Sequence, residues 1–325
     1  MQNVAAVITG VGKALPERRL TNADLEKMVD TSDEWIMKRV GIKERRIAAD
    51  DEWASHLAAR AAKDALAMSG IPAGQIDLII VSTTTPDTVY PSVACLVQKE
   101  IGALNAGAMD VAAACTGFIY AMGNAWALIK AGLMKNVLVI ASEIVTSSVD
   151  WTDRDTCVLF GDGAGAVMLS ASEGDTAGIL SMKLHADGTY SDFLKLPNSG
   201  CRVFPEYAGR FVQMQGNDVF KHAVRDMADC ASSVVADAGL TMEDVALFIP
   251  HQANIRIIDA IATRLKMPAE KVFVNIERYG NTSSATIPIA LCEAVEQGRL
   301  KPGDILVIDA FGAGLTWGAM VIRWK

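Results

Sequence analysis

Cys115 stands in the stretch Asp110-Val-Ala-Ala-Ala-Cys115-Thr116-Gly117-Phe118-Ile119. Behind it, apolar residues recur at Phe118, Ile119, Met122, Trp126 and Ile129, the spacing of a helix with a buried face. The pattern predicts strand, tight turn and helix, with the thiol at the helix start. There unpaired N–H groups and the helix dipole favour thiolate and lower the thiol pKa. The plainer fate of a free cysteine is an inert buried thiol, so the rest of the chain must supply partners. Of the four histidines, His56 lies in an Ala-rich helical stretch, His222 beside Lys221 and His185 in a charged loop. His251 differs. It follows the apolar run Val245 to Pro250 and opens His251-Gln-Ala-Asn254-Ile-Arg256 just before the next helix. The end of a buried strand is where α/β proteins place their sites. Asn281, in Tyr279-Gly280-Asn281-Thr-Ser-Ser, sits in another turn before a helix. Cys115, His251 and Asn281 together would give a nucleophile and two groups able to stabilise negative charge on a carbonyl oxygen.

The elements that must position these residues occur twice. Ser69 to Val81 lies over Ala238 to Pro250 without a gap at an offset of 169, and Val137 to Ile140 lies over Ile305 to Ile308 at 168. The turn and helix around Cys115 align with those at Asn281 at an offset of 166, placing Cys115 opposite Asn281. Gly165 to Leu169 matches Gly318 to Ile322 at 153, so the first half carries extra residues around 144–160. The expected architecture is α/β, with two pseudo-symmetric halves, 1–172 carrying the nucleophile and 173–325 carrying His251 and Asn281. They are packed as layers around mostly parallel sheets.

Composition narrows the function. The chain of 325 residues is 51% hydrophobic with a mean hydropathy of +0.24, enough for a large buried core. Apolar runs such as Leu78 to Val81 are strand length, far short of a bilayer span, so no membrane association is expected. A formal charge of -8 argues against nucleic acid as a partner. Six cysteines without C-x-x-C spacing indicate neither a disulfide framework nor a zinc site. Val4 to Thr9 reads as a first strand rather than a leader, so a cytoplasmic location is expected.

Six motifs in order carry a resemblance: Asp33-Glu-Trp35-Ile, Ala114-Cys115-Thr-Gly-Phe118, Gly161-Asp-Gly-Ala-Gly-Ala166, His251-Gln-Ala-Asn-Ile-Arg256, Tyr279-Gly-Asn281-Thr-Ser-Ser284 and Gly312-Ala-Gly-Leu-Thr-Trp317-Gly318. Over essentially its whole length the chain resembles β-ketoacyl-acyl carrier protein synthase III, one of the thiolase-fold condensing enzymes. The Gly161 run lacks the Walker lysine and the dinucleotide fingerprint spacing, and reads as close backbone packing between layers. The resemblance implies a thiolase-like αβαβα fold and a homodimer. It also implies acylation of Cys115 by a short acyl-CoA primer, followed by decarboxylative condensation with malonyl-acyl carrier protein to begin fatty acid synthesis. His251 and Asn281 would stabilise the enolate, and the backbone N–H groups of Cys115 and Ala313 the acyl oxyanion. No permanently bound cofactor or metal is implied; the coenzyme A thioester is substrate.

By the same resemblance, coenzyme A contacts fall to Thr31, Trp35, Arg39, Arg154, Gly216, Phe220 and Asn254. Trp35, Arg39 and Arg154 would clamp the adenine by stacking. Lys221, Arg256 and Arg264 would form a basic landing patch for an acidic carrier protein, with Thr263 standing where relatives have a lysine. Tyr90 matches an aromatic that limits the primer pocket across the dimer interface. Two other readings remain. A sister condensing enzyme of a polyketide or alkylquinolone pathway would use another primer or a CoA-bound extender. A papain-type Cys/His/Asn hydrolase would carry its cysteine near the mature N-terminus and usually disulfides, neither of which is seen.

Overall fold

The computed structural model describes residues 4–174, 176–207 and 209–325. Strands β1 (Val4–Ala14), β2 (Leu78–Ser82), β3 (Gly107–Val111), β4 (Asn136–Ile144) and β5 (Asp162–Glu173) form one sheet in the order β1-β5-β4-β2-β3. Strands β6 (Gly178–Ala186), β7 (Val245–Pro250), β8 (Ile305–Gly312) and β9 (Thr316–Arg323) form a second in the order β7-β8-β9-β6. Read from its other edge, the second sheet repeats the path of the first. A lone parallel bridge from Phe248 to Val272 stands where the fifth strand would be.

Helix α1 (Asp33–Val40) packs with residues 145–160 in a small cluster of its own. Helices α2 (Ala54–Ser69) and α3 (Val93–Ile101) cover the outer face of the first sheet. Helix α4 (Gly117–Lys130) lies between the two sheets, and α5 (Gly216–Asp237) and α6 (Ile255–Arg264) cover the outer face of the second. Helix α7 (Thr286–Glu296) joins α4 in the middle layer, where every residue from Thr286 to Ala294 is buried. The stretch is apolar on every side but for Thr286 and Glu293, which are bonded to His251 and Arg278, so it can be buried all round, and such a helix between two sheets gives the five-layer αβαβα arrangement. Gly165 permits the contact: a Cβ there would come within 2.7 Å of Pro288 Cβ and 2.8 Å of the Ile289 nitrogen. The glycine run thus packs backbone between layers, as its sequence suggested. Among the described residues no helix is long and apolar enough to cross a membrane.

Two expectations need correction. The sheets are mixed rather than mostly parallel: β2 pairs parallel with β3 and β4, and β7 with β8, but β5 and β9 run antiparallel to both their neighbours. The turn joining β8 to β9, closed by the pair Gly312 and Thr316, is too short for the crossover that parallel strands require. The repeat also sits in a different register at the site. Ala114 (φ 46°) and Ser283 (φ 52°), both left-handed, open the equivalent 3-10 turns that lead into α4 and α7. This places Cys115 opposite Ser284, an offset of 169 (284 − 115), and not opposite Asn281. The local backbone conformation, not the residue chemistry, marks the equivalent position.

Candidate active site

Turns from both halves converge on one cavity of about 480 Å3, a size suited to small-molecule binding. Its lining includes Cys115, His251, Asn281 and Ala313, and further along Trp35, Arg39, Gly216, Phe220, Asn254 and Arg256.

Cys115 lies in the 3-10 turn Ala114–Thr116, before the first residue of α4. Burial pushes its thiol up to about 12; the Ser283 hydrogen bond opposes the shift and the Glu143 charge adds to it. The direction is opposite to the expected depression, although the residue is only half-buried at the cavity wall. Cys115 does stand at the start of α4, where the helix end favours thiolate, but desolvation outweighs that field. The Sγ lies 3.5 Å from Ser283 Oγ. Gly312 packs over this turn, where a Cβ would sit 2.8 Å from the Cys115 nitrogen. The backbone N–H groups of Cys115 and Ala313 donate to no other residue among those described. The Cys115 N–H reaches only its own sulfur, and Ala313 lines the same cavity, so both can be offered to a substrate oxygen.

His251 is 3% exposed. Its backbone N–H donates to Asp309 at 2.7 Å, and its Nδ1 lies 2.6 Å from Thr286 Oγ1 on α7. Nε2 is therefore the nitrogen left for a substrate. Burial pushes the imidazole down to about 3, so the ring is neutral at neutral pH. An unfolded histidine takes up a proton near pH 6.5, whereas His251 in the folded chain does not until about 3. The stability this contributes is present above 6.5 and is lost as pH falls toward 3. From pH 7 to 5 the loss is about 2 kcal/mol. Urea unfolding at the two pH values should show it in the native protein and not in His251→Gln.

Asn281 is held at both levels. Its backbone bonds to Leu159 and Gly161, and its Oδ1 accepts the Ser283 N–H at 2.8 Å, which turns the Nδ2 donors outward. Gln252, by contrast, spends its amide on Pro250, Phe273 and Asn275 and only braces the loop. Asn254 caps α6 by accepting from the Arg256 N–H at 2.9 Å.

The residues expected to hold coenzyme A are placed unevenly. Trp35 and Arg39 line the cavity, but Arg154 lies directly on the Trp35 ring, its Cζ 4.4 Å from the centroid, while it also donates to the Asp30 carbonyl. A purine stacked on that face must displace the guanidinium. Thr31 contributes nothing to the lining, and its hydroxyl is buried with no hydrogen-bond partner among the described residues, while Ser32 caps α1. Lys221 and Arg264 are exposed and paired with Asp218 and Asp229. Arg256 lies over Phe220 at 5.6 Å. Tyr90 is 86% exposed and not part of its own chain's cavity lining.

Two residues escaped the sequence reading. Glu143, fully buried at the end of β4, accepts from the Ser283 and Ser284 hydroxyls on Oε1, at 3.1 and 3.0 Å. Its Oε2 accepts from the Thr84 N–H and from the hydroxyls of Thr83, Thr84 and Thr85. Ser283 bridges this carboxylate to Cys115. The available signals were an acidic residue inside an apolar strand run and the threonine triplet at 83–85, neither of which names its partner.

Comparison with known proteins agrees along the chain. The family model described as 3-Oxoacyl-[acyl-carrier-protein (ACP)] synthase III matches residues 109–188, and that of the same enzyme's C-terminal part matches 235–324. A β-ketoacyl-[acyl-carrier-protein] synthase III of Roseiflexus castenholzii is 52% identical over 100% of this chain and 99% of its own. The crystal structure of 3-oxoacyl-[acyl-carrier-protein] synthase III from Aquifex aeolicus superposes with a TM-score of 0.93 at 49% identity, covering 98% of this chain and 100% of that one. A priming β-ketosynthase from a polyketide biosynthetic pathway also reaches a TM-score of 0.93, at 36% identity, over 99% of this chain and 96% of its own.

Proposed function

Because the chain belongs to the 3-oxoacyl-[acyl-carrier-protein] synthase III family, we propose that Cys115, His251 and Asn281 divide its reaction between them. The enzyme is an acyltransferase that condenses an acyl-CoA primer with malonyl-acyl carrier protein and so initiates fatty acid synthesis. In the first half-reaction Cys115 Sγ attacks the primer's thioester carbonyl. The tetrahedral oxyanion meets the free N–H groups of Cys115 and Ala313, and CoA departs as its thiol. In the second, the malonyl C–C bond breaks, CO2 leaves and the electrons move onto the thioester oxygen. Asn281 Nδ2 donates to that enolate, as does His251 Nε2 when Thr286 donates to Nδ1. The enolate carbon then attacks the acyl-Cys carbonyl. The C–S bond breaks, and the Cys115 sulfur is protonated as it leaves, the one proton consumed being drawn from solvent.

The observation that carries this reading is the convergence of one thiol with unspent donors from both halves in a single cavity. Intact-protein mass after exposure to a panel of acyl-CoAs tests it. One acyl group per chain, mapped to Cys115, supports the reading; no adduct with any CoA, or an adduct elsewhere, overturns it.

The surroundings complete the proposal. Trp35 and Arg39, with Arg154 swung aside, hold the adenine, and Gly216, Phe220 and Asn254 flank the pantetheine. Lys221, Arg256 and Arg264 receive the acidic carrier, compensating for Thr263. Reversal of the exposed charge in Lys221→Glu should raise KM for malonyl-carrier about fivefold to tenfold and leave KM for the acyl-CoA unchanged; equal effects on both would remove Lys221 from the docking surface. The adjacent exposed Val89 and Tyr90 support a homodimer in which these side chains are covered by the second copy, with Tyr90 limiting the primer to a short chain.

A further inference from the structure

Glu143 is a buried acid that none of the steps above uses. Six donors fill its two oxygens, and every one is a hydroxyl or an amide. That is the environment of an ionised carboxylate held in a single orientation. One of those donors, Ser283 Oγ, stands between Glu143 Oε1 at 3.1 Å and Cys115 Sγ at 3.5 Å. Among the described residues this is the thiol's only side-chain hydrogen bond. Ser283 is held there by its left-handed backbone and by the Asn281 amide oxygen on its N–H. His251 lines the same cavity but is bonded to Thr286, not to the thiol. Cys115 is thus the titratable group linked to Glu143.

We infer that Glu143, acting through the Ser283 hydroxyl, receives the Cys115 proton as the thiol attacks the primer. The inference rests on Cys115 being the acyl acceptor. The S–H bond breaks as a new O–H bond forms on Ser283, whose original proton passes to Glu143 Oε1. The products are a thiolate and a carboxylic acid. When the tetrahedral intermediate collapses, the proton returns along the same path to the departing CoA sulfur, and Glu143 is a carboxylate again. The buried site carries one negative charge before and after each transfer. Loss of the thiol proton to water would instead leave a thiolate and a carboxylate together in a desolvated pocket, which is strongly disfavoured. Burial disfavours charge on both groups, raising the thiol to about 12 and the carboxyl above its ordinary value, so a second negative charge in the site is costly and the relay lets the two groups share one. Glu143 touches no substrate atom and is a positioning and relay residue.

The test is the pH dependence of Cys115 alkylation by iodoacetamide on the full-length protein, read by peptide mass, in the native protein, Glu143→Gln, Glu143→Asp and Ser283→Ala. With an internal acceptor the native rate should change less than about threefold from pH 7 to 9. Glu143→Gln and Ser283→Ala should instead rise about tenfold per pH unit, while Glu143→Asp keeps a shallow profile at a reduced rate. Parallel profiles in all four would overturn the relay and leave Glu143 a purely structural group. Faster alkylation of Glu143→Gln than of the native protein at pH 7 would also overturn it, since Glu143 would then only repel the thiolate. Should the Gln variant fail to fold, Ser283→Ala decides alone, because it keeps the carboxylate. Alkylation needs no acyl-CoA, so a failed relay is distinguishable from a failed acyl-acceptor assignment, which the acyl-CoA mass experiment reads.

Discussion

Cys115→Ser is expected to form no acyl-enzyme from any acyl-CoA and to lose condensation by at least about a thousandfold. The substitution keeps size and hydrogen-bonding capacity, so the turn Ala114–Thr116 and its contact with Gly312 should persist. What changes is nucleophilicity: a hydroxyl gives up its proton far less readily than a thiol, and its anion is harder than a thioester carbon favours. The expected result is unchanged urea unfolding, no mass increase with the primer and no CoA release above background. Turnover near the native rate would show that the nucleophile lies elsewhere, and Cys115 would become a half-buried structural thiol.

Asn281→Ala should separate the two half-reactions. The Asn281 backbone, bonded to Leu159 and Gly161, needs no side chain to keep its place. The substitution removes one donor to the enolate oxygen, a loss worth about a hundredfold to a thousandfold in comparable oxyanion sites. It also frees the Ser283 N–H from its 2.8 Å bond and loosens the hydroxyl beside Cys115. Acylation should therefore slow only slightly, by about threefold or less, because its oxyanion is held by backbone groups. Single-turnover release of CoA and release of labelled CO2 from malonyl-carrier measure the two steps separately. Native CO2 release in the variant would assign enolate stabilisation to other groups, and equal losses in both steps would show that Asn281 serves the whole turn.

Both predictions depend on a site assembled from segments far apart in the chain, which explains what could be read in advance. Elements were legible where a local pattern is enough. The strand Leu78–Ser82 is a bounded apolar run, and α2 ends at Ser69 with Gly70 in the left-handed conformation that stops a helix. The duplication was legible too, because apolar runs of matching length recur at nearly constant offset. Its register at the site was not, because the shared feature is the left-handed backbone of Ala114 and Ser283, and their side chains have nothing in common.

By itself the sequence determined the periodicities of the helices and strands, the small residues that let layers approach, and the residue types at the chain turns. Those are properties of neighbours within a few positions. Tertiary structure alone decided which strands run antiparallel, that Arg154 rests on Trp35, and that Glu143 reaches Cys115 through Ser283, a residue 168 positions beyond that cysteine. It also reversed the expected pKa of Cys115. Helix-start position is a local fact, but desolvation sums over every group that excludes water, and those groups come from both halves of the chain.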